Sequence, residues 1–258
     1  MKVEAGRTPL VISFPHVGTA LPAEIAARMT EVGRAVGDTD WHVDQLYRDA
    51  RRLGAAWVQP SFSRYVVDLN RPPDDAALYP GQVSTGLCPT HSFDGEALYR
   101  AEPPDLSEIA DRRRRYWQPY HDALATMIAE AKARHGVAVL LDAHSIRAEV
   151  PRLFPGRLPD INLGTHGGRS CAPTLTRALE QLFAASSAFT HVINGRFQGG
   201  YITRHYGTPD TGVHVLQIEL AQACYMDETR RTFEEGRAAP LMALLGQVVE
   251  TLVGFTGE

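Results

Sequence analysis

The run Val137-Ala138-Val139-Leu140-Leu141 constrains this chain more than any other feature. Consecutive apolar residues without polar alternation predict a strand covered on both faces, as the central strand of a parallel sheet is. A parallel neighbour cannot be reached by a tight turn. It needs a crossover, usually a helix, so strands and helices must alternate. The rest of the chain follows that order. Residues 9–14, 55–59, 65–69, 161–163, 191–194 and 213–220 read as further strands, and residues 21–29, 41–53, 106–134, 173–185 and 228–252 as helices. Asp38, Thr39 or Asp40 would cap the helix over 41–53, and Pro119 would disturb the one over 106–134. Residues 72–104, punctuated by Pro72-Pro73, Pro80-Gly81 and Pro103-Pro104, and the glycine-rich residues 195–209 read as loops. A loop as long as the first is expected to be a lid or binding loop. The expected fold is α/β: a doubly wound, mostly parallel mixed sheet flanked by helices. With no repeat, linker or shift of composition, residues 1–258 are expected to form a single domain.

Several function classes are disfavoured. The formal net charge is −4, and the only dense basic cluster, Arg112-Arg113-Arg114-Arg115, falls in a helical stretch where a solvated face is the ordinary reading, so no nucleic-acid partner is expected. No apolar run approaches a membrane span, and the first residues lack a signal-peptide pattern. Cys88, Cys171 and Cys224 are scattered and form no CxxC pair, which argues against a disulfide framework and for a cytoplasmic location. The only lysines are Lys2 and Lys132, so Schiff-base chemistry is not expected. The sequence contains no P-loop, no GxSxG elbow and no HExxH helix.

Polar residues gather instead at the C-terminal ends of the expected strands, where open α/β sheets bind ligands. His16 follows the first strand. Asp142, His144 and Ser145 follow the central one, and Glu219 closes the last. A single strand-end histidine is more often a satisfied core residue than a ligand. Asp142 two residues before His144 shifts that balance, because a metal-bound histidine has its second nitrogen held by a carboxylate or carbonyl. A catalytic zinc takes three protein ligands. His16 and His144 would supply two, with Asp40, Asp44 or His42 as candidates for the third. The ordinary role for the two aspartates is helix capping. Glu219 has the place of a general base, or of a structural partner for an arginine. Arg64, Asp68, Asn70 and Arg71 lie within one short stretch, and Arg204 and His205 lie in the glycine-flanked loop. Arginine forks bind carboxylates bidentately, so a small anionic substrate is expected. Oligomeric state is not legible.

The motifs Ser13-Phe14-Pro15-His16-Val17-Gly18, Asp38-Thr39-Asp40-Trp41-His42-Val43-Asp44, Ser63-Arg64-Tyr65-Val66-Val67-Asp68-Leu69-Asn70-Arg71-Pro72, Leu141-Asp142-Ala143-His144-Ser145 and Gly199-Gly200-Tyr201-Ile202-Thr203-Arg204-His205-Tyr206-Gly207 resemble the N-formylglutamate amidohydrolase family. Tyr79-Pro80-Gly81-Gln82 and Thr85-Gly86-Leu87-Cys88-Pro89-Thr90 extend the likeness, which runs from about Pro9 to Glu219. The resemblance implies a zinc hydrolase of histidine catabolism that releases formate and L-glutamate from N-formyl-L-glutamate, with a fold like the zinc carboxypeptidase and aspartoacylase group. It implies His144 as a zinc ligand, Asn70-Arg71 as a substrate pair and Glu219 as the base. Those enzymes carry an HxxE zinc pair, but here Thr19 stands three residues after His16. The third ligand must come from elsewhere, and Asp40 is the choice. The expected site is therefore one Zn²⁺ on His16, Asp40 and His144, Glu219 as base, Arg64 or His205 at the oxyanion, and Asn70, Arg71 and Arg204 on the substrate carboxylates.

Overall fold

The computed structural model describes residues 1–76 and 85–257. Seven strands form one sheet: β1 (Lys2–Glu4), β2 (Leu10–Ser13), β3 (Ala56–Gln59), β4 (Ala138–Ile146), β5 (Ile161–Gly164), β6 (His191–Ile193) and β7 (Val213–Ala221), in spatial order β1-β3-β2-β4-β7-β5-β6. β3, β2, β4 and β7 run parallel to one another, as do β5 and β6. β1 lies antiparallel to β3, and β5 to β7. The expected mostly parallel mixed sheet is present. Its spine is the pair β4 and β7, buried along their whole length and paired from Ala138↔Val213 to Ile146↔Ala221.

Helices cover both faces: α1 (Ala23–Ala26), α2 (Glu31–Arg34), α3 (Val43–Leu46), α4 (Leu106–Arg112), α5 (Gln118–His135), α6 (Pro173–Ala185), α7 (Tyr201–Tyr206) and α8 (Glu235–Val253). Strand alternation sorts the core into two layers. Val139, Leu141, Leu216 and Ile218 pack with Leu175 and Leu179 of α6 and with Leu241, Leu245 and Val248 of α8. Ala138, Leu140, Val213 and Val215 pack on the other face with Leu124, Met127 and Ile128 of α5. A buried leucine such as Leu124, truncated to alanine, would cost about 2–5 kcal/mol. On this second face the same rows continue, toward the strand C-termini, as Asp142 and His144 on β4 and Gln217 and Glu219 on β7. The core turns polar there, and that edge holds the site.

Some expectations are corrected. Residues 65–69 are buried but form turns, not a strand. Their backbone groups bond elsewhere: Asp68 N donates to Leu87 O, Val66 N to Ser63 O, and the Arg112 guanidinium donates to Val66 O. Arg112 is thus buried, while Arg113, Arg114 and Arg115 keep the exposed face expected of them. Residues 41–53 hold only α3 and a 3-10 turn, Arg48–Arg51; His42 takes a left-handed backbone (φ 60°), so the helix cannot start before Val43. The long helix is disturbed just before Pro119, as expected: a π turn (Arg113–Trp117) joins α4 to α5. α7 interrupts the expected loop over 195–209. The last helix begins only at Glu235, after a small hairpin of β8 (Met226–Asp227) and β9 (Thr232–Phe233). The motif Tyr79-Pro80-Gly81-Gln82 lies outside the described residues. Among those described, no helix is long and apolar enough to cross a membrane.

Candidate active site

β2, β4 and β7 deliver His16, His144 and Glu219 to one edge of the sheet. His16 sits in the turn after β2, and Asp40 is tied to that turn by its backbone N–H, which donates to His16 O (3.1 Å). One nitrogen or oxygen from each of His16, Asp40 and His144 falls within 4.8 Å of the others, and all three residues are buried. The Asp40 Oδ2 atom lies 2.9 Å from His144 Nδ1 and 3.7 Å from His16 Nδ1.

The outer nitrogens are held in a matching way. His16 Nε2 is 2.7 Å from Asp68 Oδ1, and His144 Nε2 is 2.9 Å from Asp142 Oδ2. A carboxylate behind each imidazole turns the opposite nitrogen inward and raises its basicity, as behind metal-bound histidines. His16 Nδ1, although buried, has no hydrogen-bond partner. A buried orphan nitrogen beside a carboxylate and a second imidazole is the donor set that a divalent cation satisfies. Asp44 and His42 do not join the group. His42 bonds through Nε2 to Arg231 O and through Nδ1 to Gln45.

Charge supports the same conclusion. Asp40, Asp68 and Glu219 are buried near one buried guanidinium, Arg64, and Asp142 is buried behind His144. Arg64 donates to Asp68 Oδ2 (2.6 Å), approaches Asp40 Oδ1 (3.9 Å) and stacks on the Phe93 ring (4.8 Å). Burial opposes ionisation of Asp40, but His16 and His144 hold its carboxyl well below the usual range. Burial likewise disfavours charge on His144, but Asp142 and Asp40 hold its pKa well above the ordinary value. A cation would replace the proton that His144 otherwise retains. Glu219 behaves oppositely. Burial pushes it up to about 8, Asp40 and Asp142 add to the rise, and His144 and Arg64 oppose it. Its partner within hydrogen-bonding range is Gln217 Nε2, at 3.5 Å.

A cleft of about 710 Å³ opens above this floor and is lined by His16, Asp40, His144, Glu219, Arg64 and Arg71, among others. Asn70 also lines it, but its amide is engaged with the protein: Nδ2 donates to Asp142 Oδ2 (2.9 Å) and Oδ1 accepts from Ile202 N (2.8 Å). Gly200 makes that arrangement possible, since a Cβ there would lie 2.5 Å from Asn70 Nδ2. Arg71 is braced by Thr85, through Nε to its carbonyl (2.7 Å), and by the Trp117 indole N–H on the Arg71 carbonyl (3.0 Å). Arg204 and His205 are not among the lining residues. Arg204 Nε turns back to Gly199 O, and the exposed His205 ring stacks on Tyr201. Sequence reasoning missed Arg196, which does line the cleft. The signal was its place in a glycine-flanked loop just after β6.

The family sequence model described as N-formylglutamate amidohydrolase matches residues 8–226. The chain is 47% identical to an N-formylglutamate deformylase of Pseudomonas aeruginosa, over 100% of this chain and 97% of that one. It is 45% identical to an N-formylglutamate deformylase of Pseudomonas putida, over 98% of this chain and 95% of that one. It also superposes on the crystal structure of an N-formylglutamate amidohydrolase from Ralstonia eutropha JMP134 with a TM-score of 0.83, at 28% identity, covering 98% and 95% of the two chains.

Proposed function

This chain belongs to the N-formylglutamate amidohydrolase family, and from that membership and the site geometry we infer that it hydrolyses N-formyl-L-glutamate to L-glutamate and formate with the help of one zinc ion. The observation that carries the reading is the buried group His16, Asp40 and His144, with Glu219 beside it in strand register. Two imidazoles and a carboxylate are a donor set suited to zinc, and they leave coordination open for water and substrate. A zinc ion held there supplies Lewis acidity to the formyl carbonyl and acidifies an attacking water.

The remaining work falls to side chains. Glu219 takes a proton from the attacking water and returns it to the departing amine nitrogen. Arg64, locked by Asp68 and charged at any working pH, faces the charge that develops on the formyl oxygen. It lines the cleft and His205 does not, which favours Arg64 in that role. Arg71, braced by Thr85 and Trp117, binds the substrate α-carboxylate. Asn70 supports it by fixing Asp142 and the start of α7.

The test is a substrate panel. Purified protein is assayed on N-formyl and N-acetyl derivatives of glutamate and aspartate, before and after chelation and zinc restoration. N-formyl-L-glutamate should be the best substrate, and chelation should abolish turnover reversibly. Preference for an acetyl derivative, or full activity in the zinc-free protein, would overturn the reading.

A further inference from the structure

We propose that Arg196 binds the γ-carboxylate of the substrate and so makes the enzyme selective for a dicarboxylate; the proposal rests on the substrate reading above. A doubly anionic ligand entering this cleft meets the carboxylates of Asp40 and Glu219 on its floor, so each of its own carboxylates needs a cation. Three arginines line the cleft among the described residues: Arg64, Arg71 and Arg196. Arg64 is committed to Asp68 and Asp40. In the reading above it faces the formyl oxygen, so the two carboxylates are assigned to Arg71 and Arg196, which also line the cleft.

The sheet order decides which carboxylate each takes. The reaction centre lies over β2, β4 and β7, and Arg71 adjoins Asn70, which touches the His144–Asp142 pair. Arg196 follows β6, two strands beyond β7, or about 10 Å across the sheet. The carboxylate furthest from the formyl group therefore falls to Arg196, and the nearer α-carboxylate to Arg71. The guanidinium of Arg196 is also held in place. Its Nε donates to Leu153 O (3.1 Å), and its Cζ lies over the Phe197 ring, 5.6 Å from the centroid. The turn that carries it is pinned by Asn194, whose Oδ1 accepts from Thr165 N (2.8 Å) and whose Nδ2 donates to Thr165 Oγ1 (2.8 Å). A fixed fork of this kind binds a carboxylate with little ordering cost.

N-formyl-L-glutamine differs from N-formyl-L-glutamate only at the γ position, so the two substrates isolate the contact. The zinc-loaded wild type should favour the acid by about 100-fold or more in kcat/KM, since an arginine left facing a neutral amide loses its charge-assisted pair. Arg196→Met should lose that preference, to within about threefold, by losing activity on the acid alone. Arg196→Lys should fall between. Zinc content and melting temperature are measured on the same preparations. A wild type indifferent to the two substrates, or an Arg196→Met protein that is folded and zinc-loaded yet keeps the preference or loses both activities equally, overturns the proposal. Calorimetric binding of L-glutamate against L-glutamine separates this failure from failure of the catalytic reading. If the wild type does not turn over N-formyl-L-glutamate, a preference for L-glutamate that vanishes in Arg196→Met still supports the γ-carboxylate site, and binding insensitive to Arg196 overturns it.

Discussion

His144 and Glu219 occupy the same register position on the adjacent parallel strands β4 and β7, so a candidate metal ligand and a candidate base stand side by side on one face of the sheet. Backbone pairing alone fixes their spacing, and neither depends on a loop for its position. Burial keeps Glu219 up at about 8, and a neighbouring dication would draw it down toward the range where it accepts a proton near neutrality.

Glu219→Gln keeps the size of the side chain and removes the base. The variant should fold and retain zinc, with kcat lower by about 10²–10⁴-fold. If Glu219 were instead only a structural partner, the melting temperature would fall and kcat would follow the folded fraction. Melting, zinc content and kcat on one preparation distinguish the two, and near wild-type kcat in a zinc-loaded protein would eliminate the general-base role.

Asp68 stands behind His16 and never reaches the metal position, yet it fixes the ring through a 2.7 Å contact. Asp68→Asn should therefore weaken zinc binding by about 10–100-fold. Competition with a chromophoric chelator measures this directly. Unchanged affinity would mean that the His16 ring is oriented by packing alone.

Arg71→Lys keeps the charge and loses the fork. Its zinc content should be normal and its kcat/KM for N-formyl-L-glutamate about tenfold lower or worse. Kinetics equal to wild type would assign Arg71 to bracing the chain at Thr85 and nothing more.

The legible and illegible parts of this molecule divide on physical lines. β4 and β7 could be read because burial on both faces leaves a continuous apolar run, and a polar residue at the end of such a run is conspicuous: His144 and Glu219 are of this kind. Residues 65–69 have the same apolar content but bury it into two separate clusters, Tyr65 and Val66 in one and Val67 and Leu69 in the other. Hydrophobicity records burial, and it does not record whether the backbone pairs in a ladder. The contact between His16 and Asp68 spans 52 positions and has no local periodicity to reveal it. Arg196 escaped notice because it sits in a loop with no motif around it, and its meaning depends on strand order, which one sequence does not spell out.

His121 links the fold to the site and gives a pH signature. It is buried on α5, stacks on Trp117 and bonds through Nε2 to Leu69 O (2.9 Å), beside Asn70 and Arg71. Burial pushes it down to about 4; the Leu69 carbonyl resists and His205 assists. The unfolded chain holds this histidine near its ordinary pKa of about 6.5, so between those values the unfolded state binds the extra proton. Stability from His121 is thus complete above about 6.5 and falls as the pH drops toward 4. At pH 5 the loss is about 2 kcal/mol, or about 4–8 °C in melting temperature for a chain of this size. His121→Gln offers an amide N–H to Leu69 O and has no proton to gain. The wild type should be the more stable protein at pH 7.5, and its advantage should shrink by that amount at pH 5. Comparing the two proteins cancels the titration of every other group, which both share. A difference in melting temperature that stays constant from pH 7.5 to 5 would show that His121 accepts its proton in the fold at no cost.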